Sequence, residues 1–219
     1  VLMHTAQLGN WFSEERGKVP FNWETQPLLV EIAPALLSRY YNSLTEQDYL
    51  VAGPSGAGYI IPPLSPDLKG YLKESAKICR KADIKTFTSY IGDPSNRVIR
   101  EHGLYAEDFI GFMGGYVHFG RTPAQLAGSR AFVANVWPPL DNVGDSAEDT
   151  LEGVRKLLEQ PGTTPRFIGV HLFAYRTTVT DVYNFVQTLD RDKIKVVKAD
   201  EFLLAAEQYL KRSSADCKS

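Results

Sequence analysis

Glu24, His171 and Asp200 are the residues whose types and positions could support hydrolytic chemistry. Glu24 and Asp200 directly follow the first and last predicted strands, and His171 lies inside the apolar run FIGVHLFAY. Glycoside hydrolysis uses two carboxyl groups, one protonated and one ionised, on either side of the scissile oxygen. If the first and last strands are neighbours in a closed barrel, Glu24 and Asp200 face one cleft, and His171 can act there as an acid or base. Asp200 and His171 each have a structural alternative: Asp200 also fits the N-cap of the final helix, and a lone histidine in an apolar run also fits a hydrogen-bonded core position.

Aromatic and polar side chains near the ends of the predicted strands favour a sugar-binding cleft. Sugars present apolar ring faces that stack on aromatic rings, and hydroxyl groups that bind planar polar side chains. The carboxyl ends of barrel strands meet at one opening. The predicted ligand-binding residues are Trp23, Ser55, Gly56, Gly58, Tyr59, Tyr90, Trp137, Tyr175 and Arg176. The alternative is that these rings cover the core, where Tyr and Trp are often half-buried.

The stretch GPSGAGYIIPPLSPD, residues 53–67, crowds glycines and prolines together after a predicted strand. It is not a dinucleotide fingerprint, because Tyr59 and prolines follow Gly56 and Gly58 where a helix should begin, and it lacks the Gly-Lys-Ser/Thr ending of a P-loop. A stiff loop with glycines at positive φ is one interpretation. A bare backbone that a ligand approaches closely beside Ser55 is another, and the two are compatible.

Charge and composition argue against several kinds of binding partner. The chain has 24 Lys and Arg against 26 Asp and Glu, so it lacks the basic balance that nucleic acid favours, and we expect no nucleic-acid partner. No apolar run approaches the roughly 20 residues that cross a bilayer, so we expect no transmembrane segment. The histidines and cysteines show no zinc-ligand spacing and no phosphate-binding loop is present, so we expect no metal and no cofactor.

The elements that must position these residues alternate between short β-rich runs and amphipathic helical runs, which predicts an α/β fold. The leading architecture is a (β/α) barrel or a barrel-like parallel sheet, incomplete at the N-terminus, and a doubly wound open sheet is the alternative. One domain spans residues 1–212, followed by a polar tail at 213–219. The predicted strands are 18–23, 48–53, 84–90, 109–115, 130–137, 166–175 and 194–199.

Local signals predict where two of the helices begin or break. Pro34 lies inside the helical pattern PLLVEIAPALLSRYYNSL and should bend or break it. Ser146 and Asp149 have the spacing of a capping box at the start of SAEDTLEGVRKLLEQ.

The stretch DYLVAGPSGAGYIIP resembles the signature of the GxGYxYP family, a group of bacterial-type proteins described as glycoside hydrolase-like, whose activity is unassigned. The signature reads Gly56, Gly58, Tyr59 and Pro62 here, with Ile61 in place of the second tyrosine. The resemblance extends to RGKVPFNWETQPLLVEIAPALLSRYY and, more weakly, to GVHLFAYRTTVTDVYNFV and VVKADEFL, so it covers most of the chain. It implies a carbohydrate or glycan ligand and, with that substrate, an extracellular or periplasmic location.

One departure from the family bears on catalysis. The family has an acidic D-G-D-N stretch shortly before the region that matches NWF, and this sequence does not contain it. The chain also opens at Val1 without an initiator methionine, so we expect a longer polypeptide or a partner chain to supply the preceding region. We therefore expect a glycoside hydrolase-like domain, and the alternative is a non-catalytic glycan-binding or structural extracellular protein. A second carboxylate within roughly 5–10 Å of Glu24 would favour hydrolysis.

Overall fold

The computed structural model describes residues 9–89, 96–118, 124–137, 146–162, 165–172 and 177–216, with the backbone alone at 96, 115–118, 135–137 and 216. Within these ranges seven strands form one sheet. They are β1 (Phe21–Thr25), β2 (Asp48–Ala52), β3 (Thr86–Ser89), β4 (Gly111–His118), β5 (Gln125–Ala127), β6 (Arg130–Trp137) and β7 (Gly169–Val170). The strand order is β1-β2-β3-β4-β6-β5, and β7 also pairs with β6. Pairing is parallel except between β5 and β6.

Seven α-helices accompany the strands in the described part of the chain. They are α1 (Leu29–Ile32), α2 (Pro34–Asn42), α3 (Leu68–Lys81), α4 (Asn96–Tyr105), α5 (Ala147–Glu159), α6 (Val179–Gln187) and α7 (Ala199–Asp216). The chain is therefore a mixed α/β protein with a mostly parallel sheet. Because α7 continues to Asp216, positions 213–216 of the predicted polar tail are helical.

Two local predictions about helices are confirmed. The helical pattern breaks before Pro34, where α1 ends at Ile32 and α2 begins, because proline has no N–H to donate and its ring crowds the preceding turn. The capping box at the start of α5 is complete: the Ser146 hydroxyl accepts a hydrogen bond from the Asp149 N–H, and the Asp149 carboxylate accepts one from the Ser146 N–H.

Packed helices cover both faces of the sheet. The first face carries Ala52, Phe87, Phe112 and Phe132, which form a buried core with residues of α2, α3 and α4. The second face carries Val51, Met113, Ala131 and Val133, which form a separate buried cluster with Ala199, Leu203 and Ala206 of α7. Successive residues of a strand point to opposite faces, so each strand contributes to both cores.

The prediction of a last strand at 194–199 is wrong. Residues 194–198 form no strand, and Ala199 begins α7. Instead of a ladder, a side chain holds this region: Asn22 Oδ1 on β1 accepts a hydrogen bond from the Ala199 N–H at 2.8 Å. The run IKVV at 194–197 has the composition of a strand. However, this contact binds only the N–H of Ala199 to β1, and a strand requires a ladder of backbone hydrogen bonds. The short antiparallel strand β5 was not predicted.

Contacts between the two ends of the chain bear on the barrel prediction. Thr180 of α6 donates a hydrogen bond to Glu15 at 2.8 Å, and Lys198 donates one to the Glu46 carbonyl at 2.9 Å. Regions after β7 therefore lie beside regions before β1 and β2. No ladder joins β1 to β7 among the described residues. Closure into a barrel stays a prediction.

Candidate functional site

A carboxylate reaches across one strand to a hydroxyl on the next at the carboxyl end of the sheet. Glu24 on β1 pairs in register with Val51, so it points to the second face. Its Oε1 accepts a hydrogen bond from Thr88 Oγ1 on β3 at 2.6 Å, although β2 lies between the two strands. This bond joins β1 to β3 above the end of β2.

Gly53 makes that crossing possible, because it directly follows β2 and has no side chain. A Cβ built at position 53 would lie 2.0 Å from Thr88 Oγ1 and 2.6 Å from Glu24 Oε1. Such distances are far below van der Waals contact, so any larger residue would displace the carboxylate or the hydroxyl. The first glycine of the GPSGAG stretch is therefore required by the contact between Glu24 and Thr88.

Hydrogen bonds to its backbone groups fix the loop around Gly53 beside both neighbouring strands. The Gly53 N–H donates to the Thr25 carbonyl at 3.1 Å, and Gln26 Nε2 donates to the Gly53 carbonyl at 2.7 Å. On the other side, the Ser55 N–H donates to the Thr88 carbonyl at 2.8 Å. The loop that leaves room for the contact between the carboxylate and the hydroxyl is therefore fixed on both sides.

The remaining glycines of the stretch contact the protein's own side chains. Gly56 has a φ of +85°, and a Cβ there would lie 2.4 Å from the Phe87 ring. Gly58 lies against Tyr71, whose hydroxyl is 2.5 Å from the Gly58 carbonyl and 2.8 Å from the Ser55 carbonyl. Ser55 is fully buried, and its hydroxyl donates to the Ile60 carbonyl at 2.7 Å. Close packing thus occupies the space in which a ligand was expected to approach.

His171 lies within electrostatic range of Glu24. It directly follows β7, which pairs with β6 far from β1 in the strand order. Burial lowers the pKa of His171, and the negative charge of Glu24 acts in the opposite direction. The imidazole therefore tends to be neutral, and it lies within electrostatic reach of the carboxylate that Thr88 holds.

Asp200 is associated with a different residue. It lies in the first turn of α7, rather than at the N-cap, because the helix begins one residue earlier. Burial and then the charge of Asp200 raise the pKa of Tyr49 to about 12. Within the described residues Asp200 Oδ1 is buried and has no hydrogen-bond partner. The predicted pairing of Glu24 with Asp200 rested on a last strand that does not form, and no described contact joins the two carboxyl groups.

Trp23 packs in the core of the first face. Only 4% of it is exposed, its ring lies 4.9 Å from that of Trp11, and its Nε1 donates to Asp48 Oδ1 at 2.8 Å. Burial raises the pKa of Asp48, but hydrogen bonds from the Thr45 backbone, Trp23 and Arg16 outweigh it, so the pKa is lowered overall. Trp23 therefore does not share the face of Glu24. Strand alternation already carried this signal, since adjacent residues point to opposite faces.

The other predicted ligand-binding residues differ in how much of them the structure describes. Tyr59 is 62% exposed, which suits the rim of a site, and it follows the buried part of the Gly53 loop. Tyr90, Tyr175 and Arg176 lie outside the described residues. For Trp137, which ends β6, the backbone alone is described.

The described ranges bear on the predictions about metals and membranes. No group of three or more His, Cys, Asp or Glu residues there could hold a metal ion. Nor does that part of the chain contain a helix long and apolar enough to cross a membrane.

The fold has a counterpart among solved structures. The structure resembles that of "a putative hydrolase from Bacteroides thetaiotaomicron VPI-5482", with 23% sequence identity and a TM-score of 0.77. The similarity covers 94% of this chain and 42% of that chain, so this chain spans less than half the length of that protein. At this identity the likeness shows a shared α/β fold.

The family follows from the sequence match. The family described as "GxGYxYP putative glycoside hydrolase C-terminal domain" matches residues 2–206, and the chain belongs to it. This confirms the resemblance noted in the Gly53–Pro62 signature. No curated protein matches the sequence.

Proposed function

We propose that this domain acts on carbohydrates by cleaving glycosidic bonds, with Glu24 as the central carboxylate. The observation that carries the proposal is the contact between Glu24 and Thr88 through the gap at Gly53, within electrostatic reach of His171. The family's description as a glycoside hydrolase domain supports the reaction class. The name of the structural relative, a hydrolase, agrees with that class.

The two titratable groups have complementary roles in this proposal. Glycoside cleavage proceeds through an oxocarbenium-like transition state, in which positive charge develops at the anomeric carbon. The Glu24 carboxylate, held by Thr88, would stabilise this charge. The neutral imidazole of His171 would accept the proton of an attacking water molecule as the water oxygen bonds to the anomeric carbon and the bond from that carbon to the leaving sugar oxygen breaks. The leaving oxygen would take up that proton from the imidazolium, directly or through water, which restores neutral His171. Tyr59 would stack on a sugar ring at the rim.

A non-catalytic glycan-binding domain is the second candidate function. The observation that favours it is the set of partners that the described residues offer Glu24: Thr88 through a hydrogen bond and His171 through charge, with no second carboxylate among them. Most glycoside hydrolases use two carboxyl groups. Under this alternative Glu24 accepts hydrogen bonds from sugar hydroxyls and no bond is broken.

The test is release of reducing ends from a panel of oligosaccharides and polysaccharides. The variants are Glu24→Gln and, as a matched control, Glu31→Gln, because Glu31 is an exposed acid that pairs with Lys81 at 2.5 Å. We expect the control to retain activity and Glu24→Gln to lose about a hundredfold or more. Equal activity in the wild type and Glu24→Gln would exclude Glu24 from catalysis. Binding without turnover in the wild type would favour the second candidate.

We also propose that the protein acts outside the cytoplasm, in the periplasm or the extracellular space, where polysaccharide substrates are found. Fractionation of the native cells, followed by immunodetection, tests this location. Recovery of the protein in the cytoplasmic fraction alone would contradict it.

A further inference from the structure

We propose that Thr88 is a positioning residue for Glu24, and that Gly53 provides the opening through which it acts. The inference rests on the proposed function, since Thr88 affects turnover only if Glu24 takes part in it. Thr88 is on the second face of β3, like Glu24 on β1, and only 5% of it is exposed. It contributes through its contact with the carboxylate rather than by touching a sugar.

The single proton of the Thr88 hydroxyl has two acceptors within reach. Glu24 Oε1 lies at 2.6 Å, and the Ala52 carbonyl lies at 3.0 Å. Hydrogen bonds from a hydroxyl to a carboxylate are short, about 2.5–2.7 Å, and stronger than those to a neutral oxygen. The proton therefore points to Glu24, and the hydroxyl fixes one of its two oxygens.

The surroundings leave the hydroxyl little freedom to move. The backbone carbonyl of Thr88 accepts the hydrogen bond of the Ser55 N–H, which ties β3 to the loop. Threonine is branched at Cβ, so few orientations about χ1 are available to it in a strand. Gly53 completes the arrangement, because a Cβ there would meet both the hydroxyl and the carboxylate. Thr88 thus holds the carboxylate in one orientation before a substrate arrives. Positioning a catalytic group in advance lowers the entropic part of the activation barrier.

Three matched variants test this role on the substrate that the wild type cleaves. Thr88→Val removes the hydroxyl and keeps the branched shape, whereas Thr88→Ser keeps the hydroxyl. Thr86→Val is the control, because Thr86 is a fully buried threonine on the same strand, two residues earlier. We expect Thr88→Val to lower kcat about 10- to 100-fold with KM changed less than about threefold, since misplacement of a catalytic group acts on the transition state. We expect near wild-type kcat in Thr88→Ser and in Thr86→Val.

Crystal structures of these three variants and of Gly53→Ala separate this inference from the proposed function. In Thr88→Val the Glu24 carboxylate should leave its wild-type position, and in Thr88→Ser and Thr86→Val it should stay. Gly53→Ala should displace it as well. If the carboxylate stays in place in Thr88→Val, or if kcat is unchanged, the positioning role is wrong. If it moves as expected and the wild type cleaves no glycoside, the proposed function fails while the contact between Thr88 and Glu24 holds.

Discussion

His102 should make the protein less stable as the pH falls. Its side chain on α4 is fully buried, and its ring lies 5.3 Å from Phe87, 5.3 Å from Phe112 and 5.7 Å from Phe132. Nδ1 lies 2.8 Å from the Val98 carbonyl, which assigns the ring proton to that nitrogen. Burial lowers the pKa of His102 from 6.5 to about 4, against the smaller raising effect of this hydrogen bond.

The size and sign of the effect follow from that pKa. The unfolded chain binds a proton at His102 near pH 6.5, whereas the folded protein does so only near pH 4. The stability that the neutral ring contributes is therefore complete above pH 6.5 and is lost as the pH falls towards 4. At about 1.4 kcal/mol per pH unit, the full loss is about 3 kcal/mol, and about 2 kcal/mol is lost by pH 5.

Urea unfolding at pH 7.5 and at pH 5 measures this loss. The variants are His102→Phe, which matches the surrounding rings, and His102→Leu, which avoids excess volume. Other groups titrate alike in the wild type and the variants, so the comparison isolates His102. We expect the free energy of unfolding of the wild type to fall by about 2 kcal/mol more than that of either variant. The same fall in all three proteins would refute the assignment of a buried neutral imidazole.

Three further predictions concern the core, a buried carboxylate and the site. Gly56→Ala should lower the free energy of unfolding by about 3 kcal/mol, because a side chain there adds both backbone strain and overpacking. Gly9→Ala, with a φ of +97° and nothing within 4 Å of the added Cβ, should lower it by only about 1 kcal/mol. Equal losses in chemical unfolding would contradict the close packing at Gly56. Asp48→Asn should lower the free energy of unfolding by about 3 kcal/mol, because it removes a buried carboxylate that binds the charged Arg16 and the neutral Trp23. An unchanged melting temperature would contradict this prediction. The pKa of His171, followed by NMR, should fall in Glu24→Gln, because the negative charge that raises this pKa is removed. An unchanged pKa would show that Glu24 exerts no electrostatic effect on His171.

Features that depend on neighbouring residues in sequence were predictable. The break at Pro34 and the capping box at Ser146 follow from the backbone chemistry of a few adjacent positions, and the structure has both. The alternation of strands and helices gave the α/β class for the same reason. The predicted strand at 194–199 failed because β-rich composition does not guarantee a partner strand, and only Ala199 is bound to β1 there.

The site was harder to predict from the sequence, because it depends on which strands are neighbours in the sheet. Glu24 was found from its position after β1, but the role of Gly53 requires knowing that β2 lies between β1 and β3. Thr88 was missed for that reason, since nothing in its local sequence marks it as a partner of Glu24. The glycines at 56 and 58 were assigned to a ligand, whereas the structure fills their space with Phe87 and Tyr71, which are distant in sequence.

Sugars should bind at Glu24, at the carboxyl ends of β1, β2 and β3. A crystal structure of Glu24→Gln soaked with an oligosaccharide tests it most directly, because the substitution retains the shape of the side chain and blocks turnover. We predict a sugar in contact with the side chain at position 24 and close to His171. A sugar bound only elsewhere, for example in the groove lined by Val30, Leu37, Tyr41 and Asp83 on the other side of the sheet, would contradict the claim.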